Sequence, residues 1–118
     1  MYGAGGADSV YGGSGDTVVH AGPGDDIVLG GPGTDPVFGD GGADYLELDD
    51  GNDKAVGGTG DDLLLGGPGN DSLSDAGPNS GHDTANGGPG NDVCKLDSPQ
   101  VDRRADCETI RFRFRPLA

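Results

Sequence analysis

The chain has no tryptophan, one methionine, two cysteines and two histidines, and only three tyrosines and three phenylalanines among its 118 residues. Leu, Ile, Val and Phe together number 22, so little apolar surface is available to offset the entropy of ordering a chain. Cations are scarce as well: seven Lys and Arg stand against 21 acids, a formal charge of -14 that opposes nucleic acid and anionic membrane as partners. No apolar run approaches the 18 or so residues of a membrane-spanning helix. No apolar leader core precedes Gly3 either, which leads us to expect a mature fragment, an excised domain, or export through another signal. The motifs G-x-S-x-G, H-E-x-x-H and the phosphate-binding loop G-x-x-x-x-G-K-[ST] are missing, and the expectation is that the chain is not an enzyme. His20 and His82 fall at loop or outward positions and read as solvent-facing, and no histidine and thiolate cluster offers zinc or copper a site.

Glycine is what the chain has instead, 26 residues of it, together with eight prolines. Without a period, that level reads as disorder. A period exists. From Gly3 the sequence divides every nine residues as far as Ser74, giving eight units that begin at Gly3, Gly12, Ala21, Gly30, Gly39, Leu48, Gly57 and Gly66. A ninth unit, 75–86, carries three extra residues, and a tenth runs from Gly87 to Lys95. Place four is glycine in all ten units. Place six is aspartate in nine (Asp8, Asp26, Asp35, Asp44, Asp53, Asp62, Asp71, Asp83, Asp92), with Thr17 the exception. Place eight is always apolar: Val10, Val19, Val28, Val37, Leu46, Ala55, Leu64, Leu73, Ala85 and Cys94. Self-similarity at a fixed period outranks local propensity as a guide to fold.

Each place has a physical task. Glycines at places one, two and four permit a left-handed backbone and bring carbonyls toward a common point. Prolines at place three (Pro23, Pro32, Pro68, Pro89) stiffen the turn. Places seven to nine make a short strand whose middle residue points inward and whose neighbours point outward. One unit is then half a coil, two units complete a coil, and units i and i+2 stack as parallel strands about 4.8 Å apart. Pro36 sits at a strand place, where it removes a ladder donor.

This pattern resembles G-G-x-G-x-D-x-U-x, the repeat of the RTX (repeats-in-toxin) calcium-binding β-roll, and it does so over residues 3–95. The resemblance implies an all-β fold, a right-handed parallel β-roll (β-solenoid) of about ten nonapeptide half-turns with a C-terminal cap. It implies Ca²⁺ between stacked turns, each ion taking glycine-turn carbonyls and an aspartate from unit i and the same from unit i+2. The nine place-six aspartates are the implied ligands. Turn carbonyls such as those of Gly22, Gly24, Gly31, Gly33, Gly58, Gly60, Gly67, Gly69, Gly88 and Gly90 complete them. Thr17, the Leu48-Asp49-Asp50 run and the 75–86 insertion depart from the pattern and are expected to weaken individual sites.

Physical chemistry supports calcium beside the resemblance. Carboxylates and carbonyls are hard oxygen donors, and Ca²⁺ takes six to eight of them in flexible geometry. Two stacked carboxylates ~5 Å apart repel by roughly 1 kcal/mol even in bulk water, and a divalent ion between them reverses the sign. Residues 1–94 carry a net charge of -16, and ten units allow eight i/i+2 pairs, hence up to about eight ions. Metal binding confined to the folded state is folding free energy, so a core this thin is expected to need the ion.

Residues 96–118 break the period and, with Lys95, carry a net charge of +2. They read as a cap in which Ile110, Phe112 and Phe114 alternate with Arg111, Arg113 and Arg115. Cys94 and Cys107 are the only thiols; a disulfide would tie the last repeat to the cap and suits a secreted protein, and the other reading is two reduced thiols with Cys94 a small inward residue. Two functions follow: a calcium-responsive folding module of a secreted bacterial protein, aiding export, folding or stability, or an extracellular adhesin using an outer sheet face. Ile27, Leu29, Tyr45, Leu63 and Leu65 form an apolar stripe on the odd-numbered units that suits a neighbouring domain or second roll. Tyr11 and Tyr45 occupy different outward places, so no stacking ladder for sugars or bases is expected, and place three lacks the threonine rank that ice binding needs.

Overall fold

A computed structural model describes residues 1–74, 82–96, 103–105, 107 and 109–112. Places seven to nine of the repeat form strands: β1 (Ser9–Tyr11), β2 (Val19–His20), β3 (Ile27–Leu29), β4 (Pro36–Phe38), β5 (Tyr45–Glu47), β6 (Lys54–Val56), β7 (Leu63–Leu65), β8 (Ser72–Ser74), β9 (Thr84–Asn86) and β10 (Val93–Leu96). Two more, β11 (Arg103–Ala105) and β12 (Thr109–Phe112), follow beyond the repeats. Odd-numbered strands make one parallel sheet, ordered β1-β3-β5-β7-β9-β11, and even-numbered strands make the other, ordered β12-β10-β8-β6-β4-β2. The chain is an all-β parallel β-solenoid, and its first ten strands match the ten nonapeptide half-turns.

Register follows directly from the period. Val10 faces Val28, then Leu46, then Leu64, while Val19 faces Val37, then Ala55, then Leu73. Place eight therefore builds two facing columns, and its members from Val19 to Cys94 are completely buried. Two place-one residues join them, Ala21 and Leu48, both fully buried. The sequence reading took Leu48 only as a departure from the glycine pair. Its side chain is a core member.

The turns demand left-handed backbone at two places. Place-four glycines have φ from +98° to +127° where the repeat is described, and a Cβ on Gly24 would collide with the backbone oxygen of Gly6 one coil earlier. Place two is also left-handed, even where Ala4, Asp40 and Asp49 stand at φ 74°, 70° and 67°.

Pro36 is accommodated at the start of β4. Elsewhere the place-seven N–H donates to the place-six carbonyl one coil before, as from Tyr45 to Asp26 at 2.8 Å and from Lys54 to Asp35 at 3.1 Å. Pro36 lacks the donor that would reach Thr17, and β2 is correspondingly reduced to two residues, with Val18 half exposed. A lost ladder bond costs about 0.5–1.5 kcal/mol net, while proline lowers unfolded-chain entropy by about 0.4–1 kcal/mol, so the two nearly cancel.

The 75–86 insertion leaves the ladder intact. β7 still pairs with β9, with Leu64 opposite Ala85, although the spacing lengthens from 18 to 21 residues. Past residue 96, β11 pairs with β9 and β12 with β10, so the C-terminal segment continues both sheets. Cys94 and Cys107 form a disulfide with Cα atoms 5.9 Å apart. Phe114, Arg113 and Arg115 of the expected cap lie outside the described residues.

Candidate metal centre

The place-six side chains line the inner edge of the turns, where strand alternation turns them away from water. Asp26, Asp35, Asp44, Asp53, Asp62, Asp71, Asp83 and Asp92 are each at most 3 % exposed. One carboxylate oxygen of each has a fixed use: Oδ1 accepts the backbone N–H of the place-six residue one coil earlier. Asp26 accepts from Asp8 at 2.7 Å, Asp44 from Asp26 at 2.9 Å, and Asp62 from Asp44 at 2.8 Å. Asp35, Asp53 and Asp71 repeat the pattern on the even side, and Asp83 and Asp92 carry it past the insertion at 2.9 and 2.7 Å. The nine aspartates thus form two columns with i/i+2 contacts.

The other oxygen is different. Oδ2 of Asp8, Asp26, Asp35, Asp44, Asp53, Asp62 and Asp71 is buried without a hydrogen-bond partner. A buried acceptor left unsatisfied costs about 1–3 kcal/mol, and more when it is charged. Thr17, the exception at place six, shows the alternative solution: its hydroxyl donates to the carbonyl of Gly12 at 3.3 Å, while its N–H donates to Asp35 like any other rung. Where a proton is supplied, no orphan arises. Where a carboxylate stands, a proton or a cation is required.

Burial raises the pKa of Asp44, Asp53, Asp62 and Asp71 above the ordinary 3.8; a backbone N–H donated from the preceding coil opposes the rise, and neighbouring aspartates add to it. Asp44 and Asp53 are pushed up to about 6, Asp71 to about 7 and Asp62 to about 8; Asp35 is raised for the same leading reason.

The orphaned Oδ2 atoms lie at place one, beside the place-one carbonyl of the next coil: Oδ2 of Asp44 and the carbonyl of Gly57 both crowd the Cβ direction of Gly39, as Oδ2 of Asp35 and the carbonyl of Leu48 do at Gly30. Carbonyls at places two and four point at the Cα of the corresponding residue one coil on, among them those of Gly24, Gly33, Gly67 and Gly69 from the predicted set. Place-three carbonyls, by contrast, are consumed by place-four N–H groups, as at Pro32 and Pro68. Among the described residues no three acidic, histidine or cysteine side chains converge. The donor set is therefore one or two carboxylates plus carbonyls, all hard oxygens, which fits calcium and offers nothing to a soft metal.

The chain matches the RTX calcium-binding nonapeptide repeat in four copies, over residues 2–37, 38–73 and 79–94. It belongs to that family. As an RTX repeat chain it is a calcium-binding module. Comparison with curated proteins gave no match.

Sequence reasoning missed three features of this RTX roll. Place five forms an outer ladder: Asp16, Asp25, Asn52, Asp61 and Asn70 each accept the place-five N–H one coil later through Oδ1, at 2.8–2.9 Å. The repeated Gly-Asp-Asp and Gly-Asn-Asp tripeptides were the available signal. His20, read as a bystander, is stacked between Tyr2 and Phe38 with ring centroids 5.1 and 4.7 Å apart, and lies 3.6 Å from Asp40. This stack includes neither Tyr11 nor Tyr45, and its ring faces are turned to one another. In the apolar stripe, Ile27 faces Tyr45 and then Leu63, but Glu47 separates Leu29 from Leu65 and accepts the Tyr45 hydroxyl. His82 is exposed, as expected.

Proposed function

We propose that this chain is a calcium-dependent folding module of a secreted bacterial protein. Ions bind between coils i and i+2, held by Asp8, Asp26, Asp35, Asp44, Asp53, Asp62, Asp71, Asp83 and Asp92 with the turn carbonyls at places two and four. The observation that carries this reading is the file of buried Oδ2 atoms without a donor. Each coil closes onto the next only when that charge is compensated, so the chain stays open where calcium is scarce and folds where it is abundant. Such a switch aids export and then stabilises a parent protein outside the cell. Residues 96–118 act as the cap, tied down by the Cys94–Cys107 disulfide. The test is far-UV circular dichroism during a calcium titration: β-structure should appear cooperatively with calcium and vanish in excess EGTA. A folded spectrum in EGTA at neutral pH overturns the reading.

A second role draws on the odd sheet face. Ile27 and Leu29 are exposed, and Ile27, Tyr45 and Leu63 line a shallow groove flanked by Asp25 and Asp61. That face serves as a contact for a neighbouring domain or second roll. Replacing Leu29, Leu63 and Leu65 by threonine keeps β-propensity and removes apolar surface. An unchanged oligomeric state and melting temperature in calcium would rule this role out.

A further inference from the structure

Place five lines the outer edge of the odd turns, where successive rungs carry Asp25, Ala43, Asp61 and His82, all exposed. Asp25 accepts the Ala43 N–H through Oδ1 at 2.8 Å, and Asp61 accepts the His82 N–H at 2.9 Å, so both carboxylates are held in place. Among the described residues no cationic side chain pairs with either. Rungs lie about 4.8 Å apart, so the two carboxylates flank a gap about 10 Å wide that holds only the Ala43 methyl group. On the same rungs, place seven carries Ile27, Tyr45 and Leu63, paired in register. The Tyr45 hydroxyl donates to Glu47 at 3.1 Å, which fixes the ring. A groove of about 540 Å³ runs between the two rows. One wall is anionic and the other is apolar and aromatic. The even side has no counterpart, because its place-five residues are Asp16, Thr34, Asn52, Asn70 and Asn91, with a single carboxylate among them.

We propose that this groove takes an arginine side chain from an extended segment of another polypeptide in which arginine alternates with apolar residues. The inference rests on the reading of the odd face as a contact surface and names the chemistry of its partner. A guanidinium is planar and carries donors on two edges, so in the Ala43 gap it meets a carboxylate on either side. Its flat face lies against the Tyr45 ring, and its methylene stem covers Ile27 and Leu63. A lysine ammonium is a strongly hydrated point charge and meets the same gap less well. The segment's own apolar side chains extend the contact along the place-seven row. An acidic segment is repelled by Asp25, Asp61 and Glu47 together.

The probe is a short fluorescent peptide of alternating arginine and isoleucine, followed by anisotropy against the full chain in calcium, with lysine replacing arginine in a second peptide. Asp25→Asn with Asp61→Asn is the decisive variant. It removes both charges and keeps the ladder, since Asn52 and Asn70 already accept the same N–H at the same place. Binding of the arginine peptide should weaken by at least about tenfold, the loss expected of two charge-assisted hydrogen bonds, with the far-UV spectrum and calcium stoichiometry unchanged. Ala43→Arg, which fills the gap with a cation of the chain's own, should abolish binding. Asp16→Asn, which removes one charge from the even side, should leave it unchanged. No binding, equal binding by the asparagine pair, equal binding of the lysine peptide, or an equal loss in Asp16→Asn overturns the proposal. The oligomeric state of the Leu29, Leu63 and Leu65 threonine variant reports separately on the contact reading. A change there, with peptide binding indifferent to the asparagine pair, keeps the face as a contact and sinks the arginine site.

Discussion

Thr17 and the aspartates meet the same rung with different chemistry. Both donate an N–H to the next coil, but the threonine hydroxyl gives its own proton to Gly12, and the carboxylates have none to give. Thr17→Asp should therefore raise the calorimetric calcium stoichiometry by one ion, since Asp35 already stands one coil away to complete the pair. Asp49 poses a different problem. It is left-handed at φ 67°, and its charge lies close enough to raise the pKa of both Asp35 and Asp53. A left-handed backbone costs an ordinary L-residue roughly 1–2 kcal/mol, less for Asp. Asp49→Gly should stabilise the calcium-loaded chain by about 1 kcal/mol in urea denaturation, with unchanged ion count.

Between elements, the unit of interaction is the rung, and rungs are not equivalent. Asp62 takes part in two, accepting from Asp44 through Oδ1 and donating its N–H to Asp83. Asp8 takes part in one, donating to Asp26. Asp62→Ala should remove two calcium equivalents and Asp8→Ala one, as read by isothermal titration calorimetry. Equal losses would contradict pairing between units i and i+2. The pairing itself was legible from the period, because a nine-residue half-coil fixes every neighbour at 18 residues. The persistence of the rung across the insertion was not legible, since spacing alone could not tell whether three extra residues leave the plane of the coil or break it. The shortened β2 is a tertiary consequence too: Pro36 and Thr17 are far apart in sequence and adjacent in the ladder.

At the scale of the whole molecule, stacked carboxyls make the fold respond to pH in the absence of metal. The folded-state pKa values of Asp44, Asp53, Asp71 and Asp62 lie at about 6 to about 8, above the 3.8 of the open chain. The folded state therefore binds more protons, and its stabilisation is complete below pH 3.8 and lost as pH rises through 6 to 8. In EGTA, the far-UV β-signal should grow as pH falls from 8 to 4. Calcium affinity should run the other way, weakening toward acid pH because the ligands must be deprotonated to bind. Parallel titration curves with and without EGTA would contradict the carboxylate columns as the origin of both effects.

The period alone determined the coil, the two sheets, the inward place-eight columns and the nine aspartates, because a repeat is a translation by a fixed vector and places like residues on like. Family membership sits at the same level, since it is carried by spacing and residue type. What the tertiary structure decided depends on direction. It assigned Oδ1 to the ladder and left Oδ2 without a donor, and it sent Leu48 and Ala21 from a turn place into the core. It also aligned Tyr2, His20 and Phe38 into one stack and closed the place-five ladder. A nine-residue spacing says which residues are neighbours; only the orientation of each side chain and carbonyl says which of their atoms meet.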